Sequence, residues 1–71
     1  MKFNKYLIEI GYYVDGHIWE TEEKVFRAPT KEDAKYKAGV YCKARETSEK
    51  LVHPKHEHMC MIESIGEIKE D

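Results

Sequence analysis

The stretch HPKHEHMC, residues 53–60, contains three histidines and a cysteine within eight residues. Imidazole and thiolate are ligands that zinc commonly takes in proteins. If the stretch is an extended strand, the side chains of His56, His58 and Cys60 point the same way, because side chains alternate along a strand. A fourth ligand could come from one of three other residues: Cys42, Glu57 or His53. The stretch is therefore a candidate metal site with His56, His58 and Cys60 as its first ligands.

The spacing favours a simpler interpretation of the same stretch. The closely paired ligands of structural zinc modules are absent, and Cys42 lies eighteen residues before Cys60, within a predicted helix. We therefore predict a solvated loop that leads into a strand, with Cys60 directed into the core and no bound cofactor. A zinc-stabilised small domain is the alternative, and such a domain would unfold when a chelator removed the metal.

The sequence offers little for catalysis. Covalent catalysis needs a cysteine or serine activated by a neighbouring base, whereas a buried thiol is a poor nucleophile. Cys42 and Cys60 are both predicted at the helix–sheet interface, and we interpret them as free core residues. The four glycines are scattered rather than gathered in a phosphate-binding loop. Two layers also leave little room for a pocket of roughly a few hundred Å³, so we predict a protein that is not an enzyme and binds no small-molecule substrate.

Length and charge indicate one small soluble domain over residues 1–71. The chain carries 37% charged residues and a net charge of −2, which is not the basic balance of a phosphate-binding protein. A chain of this size buries only about 60% of its unfolded surface, so its core is thin. No stretch approaches the roughly 18 apolar residues that span a bilayer. We expect a cytoplasmic protein with reduced thiols and no membrane partner.

The first half of the chain predicts a β-hairpin. Lys5–Val14 is rich in β-branched and aromatic residues and ends at Asp15-Gly16, a strong signal for a two-residue turn. This turn sets a register that places Tyr12 opposite Trp19. The predicted core face then contains these residues: Tyr6, Ile8, Ile10, Tyr12, Trp19, Thr21 and Val25. A β-bulge near Glu23–Lys24 is expected, because it would turn the apolar residues that follow inward.

The second half predicts a helix and a third strand. Thr30 can cap the helix, and Pro54 ends it near residues 50–52. One side of the helix is expected to pack on the sheet through these residues: Ala34, Ala38, Tyr41, Cys42, Ala44, Ser48 and Leu51. A strand over residues 58–68 follows. The order predicts an α+β, two-layer β-β-α-β sandwich, with a three-stranded antiparallel sheet in order 2-1-3, one helix on one face, and an ordered core over residues 5–68.

The sheet face away from the helix is predicted to combine apolar and acidic side chains: Leu7, Tyr13, Ile18, Glu20 and Glu22. Exposed apolar groups surrounded by charge mark interaction sites, and tyrosine is enriched in interface cores. We therefore predict that these five residues, together with an edge strand, bind a protein partner or a second copy in a homodimer. RNA binding is the alternative, since open sheets can stack bases, although the glutamates would repel phosphate.

The segment VFRAPTKEDAKYKA resembles a wider pattern of strand, Ala-x-Thr cap, acidic first turn and alanine-rich helix. With this segment, the β-β-α-β order over residues 5–68 resembles the small archaeal ribosomal protein of the LX type. That resemblance implies a ribosome-associated module with an RNA partner. In size and acidity the chain also resembles small accessory proteins of bacteriophages, which implies binding and inhibition of a host protein. No functional residue is carried over from either resemblance.

Overall fold

The structure, a computed structural model, describes residues 2–69. They form strand β1 (Asn4–Val14), strand β2 (His17–Ala28), helix α1 (Lys31–Val52) and strand β3 (His58–Ile68). The strands pair antiparallel in the order β2-β1-β3, and α1 packs on one face of the sheet. The predicted α+β sandwich and its strand order are confirmed. Of the predicted domain, residues 1, 70 and 71 lie outside the described residues.

Helix α1 begins and ends where the sequence predicts. The Oγ1 atom of Thr30 accepts a hydrogen bond from the backbone N–H of Asp33 at 3.2 Å, which satisfies one of the free donors of the first turn. At the other end, the N–H of His53 donates to the carbonyl of Glu49 at 2.8 Å, and Pro54 follows. Within residues 2–69, no helix is long and apolar enough to cross a membrane.

The hairpin turn forms as predicted, but it controls the register only for the pairs beside it. Both residues of the Asp15-Gly16 turn have positive φ, 52° and 81°, as a two-residue turn requires. Further along, Tyr12 pairs with Glu20 instead of Trp19, so Trp19 is the extra residue of a β-bulge. The bulge predicted near Glu23–Lys24 is therefore in the wrong place. It lies close to the turn.

The position of this bulge decides which way every later residue of β2 points. Phe26 and Ala28 face the helix, as the predicted bulge required. Trp19 is 73% exposed and Val25 is 53% exposed, and Thr21 is exposed as well, so the prediction that these three belong to the core is wrong. The reason is that one extra residue moves all the following side chains to the opposite face of the sheet.

The core is small and lies between the sheet and the first half of α1. Among residues 2–69, nine buried residues form it: Tyr6, Ile8, Ile10, Tyr12, Ala28, Ala34, Ala38, Cys42 and Cys60. The small helix residues let α1 lie close to the sheet, as predicted. The expected continuation of this stripe through Ala44, Ser48 and Leu51 is wrong, since all three are exposed. After Cys42 the helix turns charged residues toward the sheet instead.

Candidate functional site

The sheet face that α1 leaves uncovered carries large apolar side chains from all three strands. Six of them are between 36% and 54% exposed: Leu7, Ile18, Val25, Met59, Met61 and Ile68. Tyr13 lies among them, paired with Ile18 on β2 and with Met59 on β3. These seven residues are called the outer sheet face below. Leu7, Tyr13 and Ile18 lie on it as predicted.

The apolar residues of the outer sheet face form two patches, one at each end of the strands. The hairpin patch consists of Tyr13, Ile18, Met59 and Met61, because Met61 pairs with Gly11 beside them. The far patch consists of Leu7, Val25 and Ile68, since Leu7 pairs with Val25 and Ile68 pairs with Lys5. A row of carboxylates separates the two patches.

This row, called the acidic band, consists of Glu9, Glu23 and Glu63. Glu9 and Glu23 are direct partners across β1 and β2. Glu63 is an extra residue on β3, and its carboxylate lies over Gly11, where a Cβ atom would overlap it. The hydroxyl of Tyr13 donates to Glu63 at 2.5 Å, and this hydrogen bond raises the pKa of Tyr13. Glu9 and Glu23 are thus like charges directly opposite each other, a pairing that disfavours a sheet.

Two of the predicted partner-binding residues, Glu20 and Glu22, lie on the other side of the sheet. They face α1, where the guanidinium of Arg45 donates to both carboxylates. Glu22 also accepts the hydroxyl proton of Tyr41, and this hydrogen bond raises the pKa of Tyr41 to about 12. Their assignment to the outer surface is wrong, because the bulge at Trp19 turned them toward the helix. They hold the two layers together.

Val25, Met59, Met61 and Ile68 are the outer residues that the sequence interpretation missed. The alternation in HMCMIES contained a usable signal for the methionines. If Cys60 points into the core, its neighbours Met59 and Met61 must point outward, because the strand period is two. Val25 could not be found in this way. Its face depends on where the β2 bulge lies, which the sequence around it does not indicate.

A groove of about 550 Å³ lies between the end of α1 and the hairpin end of the sheet. All four histidines of the sequence and its one tryptophan line this groove, together with Tyr12, Val14, Asp15 and Glu49. The sequence led us to expect little room for a pocket of this size between two layers, and this groove lies at the end of the layers instead. Trp19 forms one wall of the groove, because the bulge turns its side chain out of the core.

His58 is buried at the base of the groove, and both of its ring nitrogens are hydrogen-bonded. The Nε2 atom lies 2.9 Å from the carbonyl oxygen of His53. A carbonyl only accepts, so Nε2 carries a proton, and in the neutral ring Nδ1 accepts the hydroxyl proton of Tyr12 at 2.5 Å. Burial raises the pKa of Tyr12, and the charge of Glu49 raises it further. His58 has no nitrogen left for a metal ion.

His56 belongs to the loop before β3 and not to the strand. Its Nδ1 atom lies 2.7 Å from the carboxylate of Asp15, whose other oxygen accepts the N–H of Glu57 at 2.9 Å. The N–H of Glu57, and next the ring of His56, lower the pKa of Asp15. His56 lies outside the strand alternation that would align it with His58 and Cys60, because β3 begins only at His58. Residues 53–57 are an exposed stretch that leads into the strand, as predicted. These contacts tie the hairpin turn to the loop.

Cys42 and Cys60 meet in the core as free thiols. They are 5% and 6% exposed, and both belong to the core cluster. Burial raises the pKa of both thiols, which keeps them protonated and unreactive. Within residues 2–69, no group of three or more histidine, cysteine or acidic side chains is arranged to hold a metal ion.

We expect a strong chelator to leave the melting temperature unchanged within the error of the measurement. His58 uses both nitrogens in hydrogen bonds and Cys60 is a protonated core residue, so metal removal withdraws no folding energy. The measurement is thermal unfolding with and without chelator, beside metal analysis of protein purified without a histidine tag. One equivalent of zinc, with a large fall in melting temperature on chelation, would contradict this expectation.

Three features of the chain thus have geometry that bears on function. They are the outer sheet face with its acidic band, the histidine groove, and the Asp15 contacts that join the turn to the loop. No protein-family model matches the chain. No curated protein and no solved structure matches it significantly.

Proposed function

We propose that this chain is a small, non-catalytic cytoplasmic binding domain, of the accessory or inhibitor type, whose outer sheet face engages a protein partner. The observation that carries the proposal is the set of six large apolar side chains, each at least 36% exposed, on one face of a 71-residue protein. They form two patches beside a row of carboxylates, and exposed apolar patches with charge around them are typical of interaction sites. The two edge strands contribute Ile18 and Met59, so a partner on this face also reaches the strand edges.

The acidic band defines the chemistry of the partner. Glu9 and Glu23 lie between two apolar patches, so the complementary surface carries basic side chains with apolar groups on either side. The same carboxylates repel phosphate, which favours a protein over RNA. An RNA-associated module is the alternative. Binding measured at increasing salt concentration distinguishes the two, because nucleic-acid binding falls steeply with ionic strength.

The histidine groove supports this proposal less than the outer face does. Ligand pockets orient their ligands through a few convergent polar groups. Here His58 is hydrogen-bonded to Tyr12, and His56 is hydrogen-bonded to Asp15. Among the described residues, no buried side-chain nitrogen or oxygen lacks a hydrogen-bond partner. Four of the polar side chains of the groove, Tyr12, His58, Asp15 and His56, are thus already engaged in hydrogen bonds.

We expect the double variant Ile18→Ser with Met59→Ser to lose partner binding and to keep its fold. Both residues are more than half exposed, and their removal leaves the Tyr13–Glu63 hydrogen bond in place. The measurement is capture from a lysate of the source organism after nuclease treatment, followed by titration calorimetry with the purified captured protein. We expect the double variant to bind at least about tenfold more weakly, a loss of about 1.4 kcal/mol.

Trp19→Ser is the matched control for this experiment. It removes a larger exposed side chain from the same hairpin, but one that lines the groove instead of the outer sheet face. Equal capture by the wild type and the control, with loss only in the double variant, supports the proposal. Equal binding by all three proteins, or capture that nuclease abolishes, would contradict it.

A further inference from the structure

The solvent-facing side of α1 carries an apolar stripe that no part of the described chain covers. Tyr36, Val40 and Leu51 are 74%, 54% and 81% exposed. With Ala44 and Thr47 between them, they repeat at intervals of three and four residues, which places them along one side of the helix. We call these five residues the helix stripe. A helix with two apolar sides is suited to contact a second layer.

From Val40 to Leu51 the charges beside the helix stripe are basic, whereas Glu32 and Asp33 lie in the first turn, just before Tyr36. Lys43 and Lys50 are exposed next to it. The acidic residues of the same helical turns point toward the sheet, where Glu46 accepts the N–H of Cys60 at 3.1 Å and Glu49 contributes to the raised pKa of Tyr12. The second half of the helix therefore has an apolar and basic outer side. The outer sheet face is apolar with the acidic band at its centre, and the pair Lys5 and Arg27 lies on it beyond the far patch.

The two sides also match in length and in the position of their charges. The helix stripe from Tyr36 to Leu51 is about 22 Å long at 1.5 Å per residue. Along β1, Leu7 in the far patch and Tyr13 in the hairpin patch are about 20 Å apart at 3.3 Å per residue, so the two patches together span about this length. Lys43 lies near the middle of the stripe, and the acidic band lies between the two patches.

Two-fold symmetric pairing would not bring the basic helix stripe and the acidic band together. In a symmetric interface the same surface meets itself, so a two-fold axis through the centre of two outer sheet faces would bring Glu9 and Glu23 against their own copies. Two helix stripes would likewise bring Lys43 against Lys43. A helix stripe on an outer sheet face pairs the opposite charges and buries apolar groups from both sides.

We infer that the partner on the outer sheet face is helix α1 of a second copy of this chain, in a head-to-tail arrangement. The inference rests on the proposed function, because it names the occupant of the same face. Each copy then has its sheet covered on both sides by a helix, which is a stable layer arrangement. A head-to-tail contact leaves one stripe and one sheet face free at the ends, so assembly continues past two copies until a ring closes or a filament grows.

Sedimentation velocity over a concentration series tests this arrangement with two double variants. The sheet variant is Glu23→Lys with Val25→Thr, and the helix variant is Lys43→Glu with Leu51→Gln. All four positions are exposed, so circular dichroism should show an unchanged fold. We expect the wild-type mass to rise beyond two copies as concentration increases, and each variant alone to associate at least about tenfold more weakly.

Mixing the variants in equal amounts is the decisive step. The sheet variant keeps a wild-type helix stripe and the helix variant keeps a wild-type sheet face, so the mixture should recover a strong two-copy complex. A helix variant that still dimerises alone, or a mixture that recovers nothing, overturns the inference. So does a wild-type chain that stays monomeric. If that monomer still captures a lysate protein through Ile18 and Met59, the proposed function holds without the self-assembly.

Discussion

Replacing Ile10 with alanine should lower the free energy of unfolding by about 2–5 kcal/mol. Ile10 is completely buried between the sheet and α1, and alanine would leave a cavity that the thin core cannot refill. Domains of ordinary stability have about 5–15 kcal/mol in total, and one of this size belongs near the lower end. The variant should therefore be partly unfolded at room temperature. Urea denaturation followed by far-ultraviolet circular dichroism measures the loss.

Trp19→Ala is the contrasting substitution, because sequence reasoning places Trp19 in the core and the structure does not. The Trp19 side chain is 73% exposed, so its removal should change the free energy of unfolding by about 0.5 kcal/mol or less. The two variants are compared under the same conditions. If Trp19→Ala destabilises the protein as much as Ile10→Ala, the bulge does not lie at Trp19 and the faces of β2 are exchanged.

Replacing Arg45 with alanine should cost about 2 kcal/mol of stability. The Arg45 side chain is 18% exposed, donates to Glu20 and Glu22, and lies over the ring of Tyr12 at 4.3 Å. Without it, two carboxylates face the helix with no cation between them. Losing one partner of a fully buried pair typically costs about 3–5 kcal/mol. The expected value here is lower because Glu20 is 49% exposed and Glu22 is 31% exposed, which screens their charges.

Arg45→Lys should recover less than half of this loss. A lysine ammonium cannot reach two carboxylates through a planar fork or stack in the same way on the Tyr12 ring. Lys43→Ala is the matched control, since Lys43 lies on the solvent-facing side of the same helix and should change stability by about 0.5 kcal/mol or less. Full stability in Arg45→Ala would mean that Glu20 and Glu22 do not depend on the helix.

The elements themselves followed from short stretches of sequence. Thr30 and Asp33 are three residues apart, and their hydrogen bond needs nothing beyond the first helical turn. The Asp15-Gly16 turn likewise depends on the φ angles that these two residues tolerate. With these signals and the apolar patterns between them, the order of elements and the antiparallel sheet could be predicted. Each signal is local, so the residues that produce it are neighbours in the chain.

The sequence by itself therefore determined the elements, their order and the outward position of Leu7, Tyr13 and Ile18. Only the tertiary structure decided which side of β2 faces the helix, because the bulge at Trp19 is tied to contacts between residues far apart in the chain. Glu22 and Arg45 are 23 residues apart, and Glu20 and Arg45 are 25 apart. Packing likewise gave the two histidines different surroundings: His56 is hydrogen-bonded to Asp15 of the turn, and His58 is buried. No local pattern encodes such contacts, since their energy appears only when the strand and the helix meet.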